Sequence, residues 1–327
     1  MMANNERFRS WLPHGFDFLT PADTERLNRM VSALRQTFHS ADYQEITPPT
    51  LDYARTFSLT TRDSLHSDTA FEMRGSSGDH LAVRTDLTVQ VVKAVANGRL
   101  SQDFPVRFCY FQPVFQDRPW GQGHRREMFQ AGVEWIGTDA ADRFRVLLAL
   151  ARDCLAHFER EASILYSDAR FLKLLLEAAP PRQRAELSRL VYNKDSAAIR
   201  RLNRQLDLAP DLARILEEMP LTFGGPEALD RLEEICQGRP ELMAVLREAR
   251  EIPDVVYDFS LVRELSYYTG PVFAAYIMGS NEKVATGGVY DELYAEFAAD
   301  NKNACGFALN MTALLEQQLS IGKSVGV

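Results

Sequence analysis

Residues 107–137 read RFCYFQPVFQDRPWGQGHRREMFQAGVEWIG, and two strands joined by a loop account for them. Arg107 to Gln112 is dense in aromatic residues and predicts a strand. Pro113, Pro119, Gly121 and Gly123 punctuate the loop that follows. Met128 to Ile136 returns as a second strand. Phe129, Ala131, Val133 and Trp135 alternate onto one face of it, which suits burial. The opposite face carries Met128, Gln130, Gly132, Glu134 and Ile136. Gln130 and Glu134 stand on that face roughly 13 Å apart along the strand. Gly132 between them has no side chain, so a small molecule could lie against bare backbone there. An amide at one end and a carboxylate at the other suit a small zwitterion with extra donors. A solvated polar face of an antiparallel strand accounts for the same pattern, and alternation alone does not choose between the two.

The flanking sequence supplies further elements. Pro21 to Phe38 places Leu27, Met30, Val31, Leu34 and Phe38 on one helical stripe, behind an N-cap at Thr20. Tyr43 to Asp52, YQEITPPTLD, predicts a strand running into a proline break. Phe71 to Met73 and His80 to Arg84 flank Gly75 to Gly78 and predict a hairpin. In the next helix Leu87, Val91, Ala94 and Val95 share a stripe. Asp86 stands at its start, where a carboxylate accepts orphan backbone N–H groups. Ala141 to Phe158 is helical, and 170–250 is nearly all helical pattern broken at prolines. Its arginines are interspersed with Glu and Asp, which predicts solvated helix faces. Tyr257 to Val262 and Val272 to Met278 predict a hairpin turning near Thr269, Gly270 and Pro271. Ala304 to Glu316 predicts a strand leading into a helix.

Composition bounds the function. With 327 residues, 46% hydrophobic and 25% charged, the chain reads as an ordinary soluble protein able to bury a large core. A net charge of −8 argues against a broad basic nucleic-acid footprint. Cys109, Cys154, Cys236 and Cys305 have no metal-ligand spacing and read as free thiols of a reducing compartment. There is no signal peptide, membrane-spanning run or lipidation motif, so a cytoplasmic location without a membrane partner is expected.

Across nearly the whole chain these motifs resemble a class II aminoacyl-tRNA synthetase, in the version found in histidyl-tRNA synthetase. Residues 107–137 are similar to motif 2, and the Pro21 helix with the strand ending at Pro49 is similar to motif 1. LVRELSYYTG at 261–270 resembles the histidine-specific signature, TGGVYDELY at 286–294 the Gly-Gly-x-Tyr-Asp element, and ACGFALNMTALLE at 304–316 motif 3. The resemblance implies an α+β fold, an antiparallel sheet of six to seven strands with flanking helices. Residues 1–138 and 252–327 would form this core, and 139–251 a helical insertion domain. No anticodon-binding domain is expected after motif 3. Motif 1 implies a homodimer through the element near Pro49.

The same resemblance implies a histidine-like pocket. Asp86, in place of the family's longer Glu, would hold the α-ammonium with Gln130, while Glu134 and Tyr268 face the imidazole. Arg263 stands at the family's catalytic arginine, and Tyr290 lies in the Gly-Gly-x-Tyr-Asp element. Glu264, Ser266 and Val289 depart from the family's Gly, Asp and Arg. The nucleotide half departs further. Gln116 replaces the α-phosphate arginine, Arg118 the adenine-reading glutamate, and Ala313 the motif 3 arginine. Neutral Gln and Ala cannot replace two guanidinium forks, so no catalytic residue, metal or bound cofactor is expected.

An amino-acid pocket without its nucleotide half resembles the regulatory subunits of ATP phosphoribosyltransferase, a synthetase-like family. That resemblance implies a short catalytic subunit as partner and L-histidine as feedback effector. A truncated synthetase-like enzyme and a module binding tRNA or a translation factor are the alternatives. Gln116 and Ala313 stand against the first, and the acidic composition against the second.

Overall fold

The computed structural model describes residues 12–58, 70–117, 125–158, 161–206, 208–261 and 267–324, with side chains described through residue 318. The expected first helix forms as α1 (Pro21–Ser40). Thr20 Oγ1 accepts from the Asp23 N–H at 3.2 Å, Pro21 presets φ, and Met30, Val31, Leu34 and Phe38 are buried. Next come β1 (Gln44–Glu45), β2 (Leu51–Tyr53), α2 (Ala54–Ser58), β3 (Glu72–Arg74), β4 (His80–Val83) and α3 (Thr88–Ala96). The central hairpin is β5 (Val106–Phe115) and β6 (Glu127–Ile136), followed by α4 (Arg143–Leu155) and β7 (Ala162–Asp168). Then follow α5 (Ala169–Glu177), α6 (Arg184–Tyr192), α7 (Ser196–Leu206), α8 (Pro210–Glu218), β8 (Phe223–Gly224), α9 (Pro226–Ile235) and α10 (Pro240–Arg250). The last elements are β9 (Val256–Asp258), β10 (Pro271–Ile277), β11 (Lys283–Val289), β12 (Ala304–Asn310) and α11 (Met311–Ser324).

Nine strands form the main sheet in the order β1-β5-β6-β12-β11-β10-β7-β9-β8, and β2-β4-β3 form a small second sheet. The pairs β1–β5 and β7–β9 are parallel and every other pair is antiparallel. The sheet is thus wider than the six to seven strands expected, because β7, β9 and β8 extend it beyond β10.

That extension corrects the hairpin expected over 257–278. β7 lies between β9 and β10, and β10 turns back instead onto β11. The strand expected over Tyr43 to Asp52 is also divided. Pro48 and Pro49 have no N–H to give a ladder, so β1 ends before them and β2 begins after them in the other sheet. Pro113 by contrast sits inside β5. It lies opposite Phe129, whose N–H donates to Thr312 Oγ1 at 2.9 Å rather than across the strand pair, so the missing donor costs no ladder bond.

Each face of the main sheet carries its own core. Ala131, Val133 and Trp135 of β6 pack with α1, α4 and α11, in a cluster that runs on through Tyr166 to Leu229 and Leu246 of the helical stretch. Met128 and Ile136, from the opposite face, pack with Val89 and Val92 of α3, and with Tyr267 and Tyr290. Within 139–251, α4 therefore covers the sheet and β7 belongs to it. All four cysteines are buried and unpaired. No helix among the described residues is long and apolar enough to cross a membrane.

Candidate functional site

Glu134 is fully buried, so its face of β6 is no solvated surface. Three hydroxyls from three other elements converge on its carboxylate. Thr88, the first residue of α3, donates to Oε1 at 2.6 Å, and Tyr110 of β5 donates to the same oxygen at 3.1 Å. Tyr290, just past β11, donates to Oε2. Burying a carboxylate in an apolar layer is costly unless its lone pairs are filled, and these hydroxyls take three of its about four acceptor sites.

Glycines make room for this arrangement. Across the antiparallel ladder Glu134 is level with Gly306 of β12, which is level with Gly288 of β11. A methyl at Gly306 would collide with Glu134 Oε2 and would sit 2.5 Å from the Val133 carbonyl. At Gly288 it would lie 3.0 Å from the Tyr268 ring. Gly132 differs from its expected role. A Cβ there would meet the Tyr110 hydroxyl at 2.5 Å, so the tyrosine ring covers the backbone that the sequence suggested lay bare.

Asp86 takes up the helix-start position expected for it. Its Oδ1 accepts the Val89 N–H at 2.9 Å and so caps α3, while the Tyr267 hydroxyl approaches Oδ2 at 3.5 Å. The Tyr267 ring centroid lies 4.9 Å from that of Tyr268 and 5.6 Å from that of Tyr290, which links the Asp86 and Glu134 ends of the cluster. Gln130 is half-buried on the same face, level with Gln112 on one side and Asn310 on the other. A row of three amides thus borders the glycines, with the Glu134 carboxylate beyond them. The structure brings Asp86, Glu134, Tyr268 and Tyr290 together, with Gln130 four residues along β6. Arg263, Glu264 and Ser266 lie outside the described residues, as does Arg118.

The sequence model of the histidyl-tRNA synthetase family matches residues 15–314. ATP phosphoribosyltransferase regulatory subunits from Leptospira interrogans are 30% identical over 94% of this chain and 93% of their own length. The protein of that name from Moorella thermoacetica is 31% identical over 93% of this chain and 81% of its own. The chain belongs to the histidyl-tRNA synthetase-like family of ATP phosphoribosyltransferase regulatory subunits. Solved structures agree on the fold. A Bacillus halodurans chain described as an ATP phosphoribosyltransferase regulatory subunit/histidyl-tRNA synthetase superposes with a TM-score of 0.81 at 24% identity, over 93% of this chain and 82% of that one. Histidyl-tRNA synthetase from a Nostoc species gives 0.74 at 17% identity, over 95% and 75%.

Of the residues that the motif resemblance assigns to the nucleotide, Gln116 is half-buried after β5, and its N–H donates to the Arg126 carbonyl at 2.8 Å. Ala313, in the first turn of α11, is 1% exposed and packs with Met311 and Leu314 in the core. The two described arginines of the motif 2 loop are engaged by carboxylates. Arg125 pairs with Glu316 at 2.8 Å and Asp17 at 3.3 Å, and Arg126 pairs with Asp117 at 3.0 Å.

Thr88 and Tyr110 join the site without a motif that names them, and Tyr267 reads in the sequence as an ordinary strand aromatic paired with Tyr268. Thr88 lies two residues after Asp86, and that spacing was a usable signal. The contribution of Tyr110 depends on strand register, which no local pattern gives.

Burial pushes Glu134 up to about 8, against the lowering effect of the Thr88 and Tyr290 hydroxyls. It raises Asp86 to about 6. A carboxyl that holds its proton more tightly folded than unfolded stabilises the fold most at low pH. Here that stabilisation is present below the unfolded values near 4 and is lost as pH rises through about 6 for Asp86 and about 8 for Glu134. Thermal melting in the absence of histidine should therefore show the midpoint falling between pH 5 and 8.5. Glu134→Gln, which cannot ionise, should flatten the upper part of that fall. An equal slope in both proteins would mean that Glu134 does not titrate in this window.

Proposed function

We propose that this chain is the non-catalytic regulatory subunit of an ATP phosphoribosyltransferase. In this reading it activates a short catalytic subunit in the first step of histidine biosynthesis and passes feedback inhibition by L-histidine to it. The observation that carries the reading is the match, over nearly the full length of both chains, to relatives of that name. The site supports it, since the amino-acid side keeps its carboxylates and tyrosines while Gln116 and Ala313 stand at the nucleotide positions.

In this proposal L-histidine is the effector and no cofactor takes part. Glu134 and Tyr268 face the imidazole, Asp86 and Gln130 hold the α-ammonium, and Arg263 and Tyr290 complete the pocket. Two copies associate through α1 and the segment ending at Pro49, and the dimers join the catalytic subunit in the cytoplasm. A subunit of this kind works only by passing on a binding event. Histidine shifts its partner as far as it binds the two states differently, a coupling of about 1–3 kcal/mol in ordinary allosteric systems, or roughly 5- to 150-fold.

Mixing the purified chain with a short ATP phosphoribosyltransferase should raise the catalytic rate, and L-histidine should then lower it. Reciprocity requires that the catalytic subunit also change the histidine affinity of the complex. Two separate species in gel filtration at micromolar concentration, with unaltered activity, would overturn the assignment.

A further inference from the structure

Residues 84–90 face two ways. Asp86 and Thr88 belong to the pocket, whereas Arg84 and Gln90 reach back to the two prolines that end the motif 1 element. Arg84 is 2% exposed, and burial lowers its affinity for its proton. Its Nη1 donates to the Pro48 carbonyl at 2.9 Å, its Nε to the Pro113 carbonyl at 2.6 Å, and its Nη2 to Gln112 Oε1 at 3.1 Å. Gln90, 4% exposed, donates through Nε2 to the Pro49 carbonyl at 3.1 Å. The Arg84 N–H itself donates to the Thr50 carbonyl at 3.0 Å.

Three consecutive carbonyls, those of Pro48, Pro49 and Thr50, are therefore held by the stretch that carries Asp86 and Thr88. The prolines have no N–H, so their carbonyls are the only backbone groups by which they can be anchored. All three described acceptors of the Arg84 side chain are neutral oxygens. Among the described residues no carboxylate pairs with it, and a buried guanidinium without a counter-charge is an expensive way to pin a loop. Its planar fork, however, reaches three differently placed acceptors at once, which a lysine ammonium on a flexible stem does not reproduce. One of those acceptors, Gln112, lies directly across the β5–β6 ladder from Gln130.

We propose that Arg84 and Gln90 are positioning residues for the α-ammonium end of the pocket, acting through Asp86 and Gln130 by fixing residues 84–90 to the Pro48–Thr50 backbone and to β5. This rests on the reading that the pocket binds histidine. It adds that the segment assigned to the homodimer contact and the amino-group site form one mechanical unit.

The test compares two ligands that differ only in the group concerned. L-histidine carries the α-ammonium, and imidazole-4-propanoate has the same imidazole and carboxylate without it. Affinities are measured by calorimetry for the first and by ligand-observed NMR for the second, on wild type, Arg84→Lys and Gln90→Met. Gln90→Met keeps the shape and loses only the Pro49 bond, which covers the case in which Arg84→Lys does not fold. Both variants should bind L-histidine about tenfold or more weakly and bind imidazole-4-propanoate as the wild type does. Equal weakening of both ligands would mean a general structural role, and unchanged histidine affinity would mean no role; either result overturns the proposal. A wild type that binds neither ligand removes the histidine pocket itself, and the proposal with it.

Discussion

Histidine-dependent exchange of pyrophosphate into ATP by this chain should not exceed a no-protein blank. Adenylation by a class II synthetase builds negative charge at the α-phosphate, and the family meets that charge with arginines from motifs 2 and 3. By the motif resemblance Gln116 and Ala313 stand at those positions, and Ala313 is closed into the core at 1% exposure. Arg125 does not substitute, since Glu316 and Asp17 already engage its guanidinium. Removing a single preorganised group of this kind costs on the order of a hundred- to a thousandfold in rate, so loss of two leaves nothing measurable. Exchange clearly above the blank would mean that another cation reaches the phosphate, and would restore the enzyme reading.

Glu134→Ala should weaken L-histidine binding by about tenfold or more. A carboxylate facing an imidazole N–H makes a charge-assisted bond in a water-excluded site, and the buried donor loses its partner when the carboxylate is removed. In this protein the effect has a second source. Thr88, Tyr110 and Tyr290 all donate to Glu134, so its removal also releases the side chains gathered at the candidate site. Glu134→Gln separates the two contributions in part, because its single amide oxygen can still accept from Thr88 and Tyr110 while an NH2 faces Tyr290 and no carboxylate remains. Arg204→Ala, on the exposed side of α7, is the control and should bind as wild type does. If calorimetry gives one affinity for all these proteins, histidine binds elsewhere on the molecule.

The elements that were legible are those with a strong local signal. The Thr20 cap, the stripe from Met30 to Phe38, and the alternation of Ala131, Val133 and Trp135 all read correctly. Proline marked the division between β1 and β2, although not that the two halves enter different sheets. What failed was pairing. The insertion of β7 between β9 and β10 follows from how the sheet closes over a stretch of more than eighty residues, and nothing in YDFSLV or PVFAAYI announces it.

The candidate site shows the same limit. Glu134 could be named as a candidate, yet its partners lie 46, 24 and 156 residues away in sequence. Gly132 looked open because it lacks a side chain. It lacks one because Tyr110 of the neighbouring strand takes the space.

The two ends of the main sheet carry a consequence for how the chain behaves when crowded. A nine-stranded sheet with long bare margins would offer rows of unpaired N–H and C=O groups for strands of other molecules to add to. Here the outermost strands, β1 and β8, are two residues each. Glu45 in the first is held by Arg35 of α1 at 2.6 Å, which places a charged pair on that margin. Phe223 in the second lies under the Lys194 ammonium, 4.2 Å from its ring centroid. Terminal strands this short, each with a charge beside it, are themselves poor templates for uncontrolled strand addition.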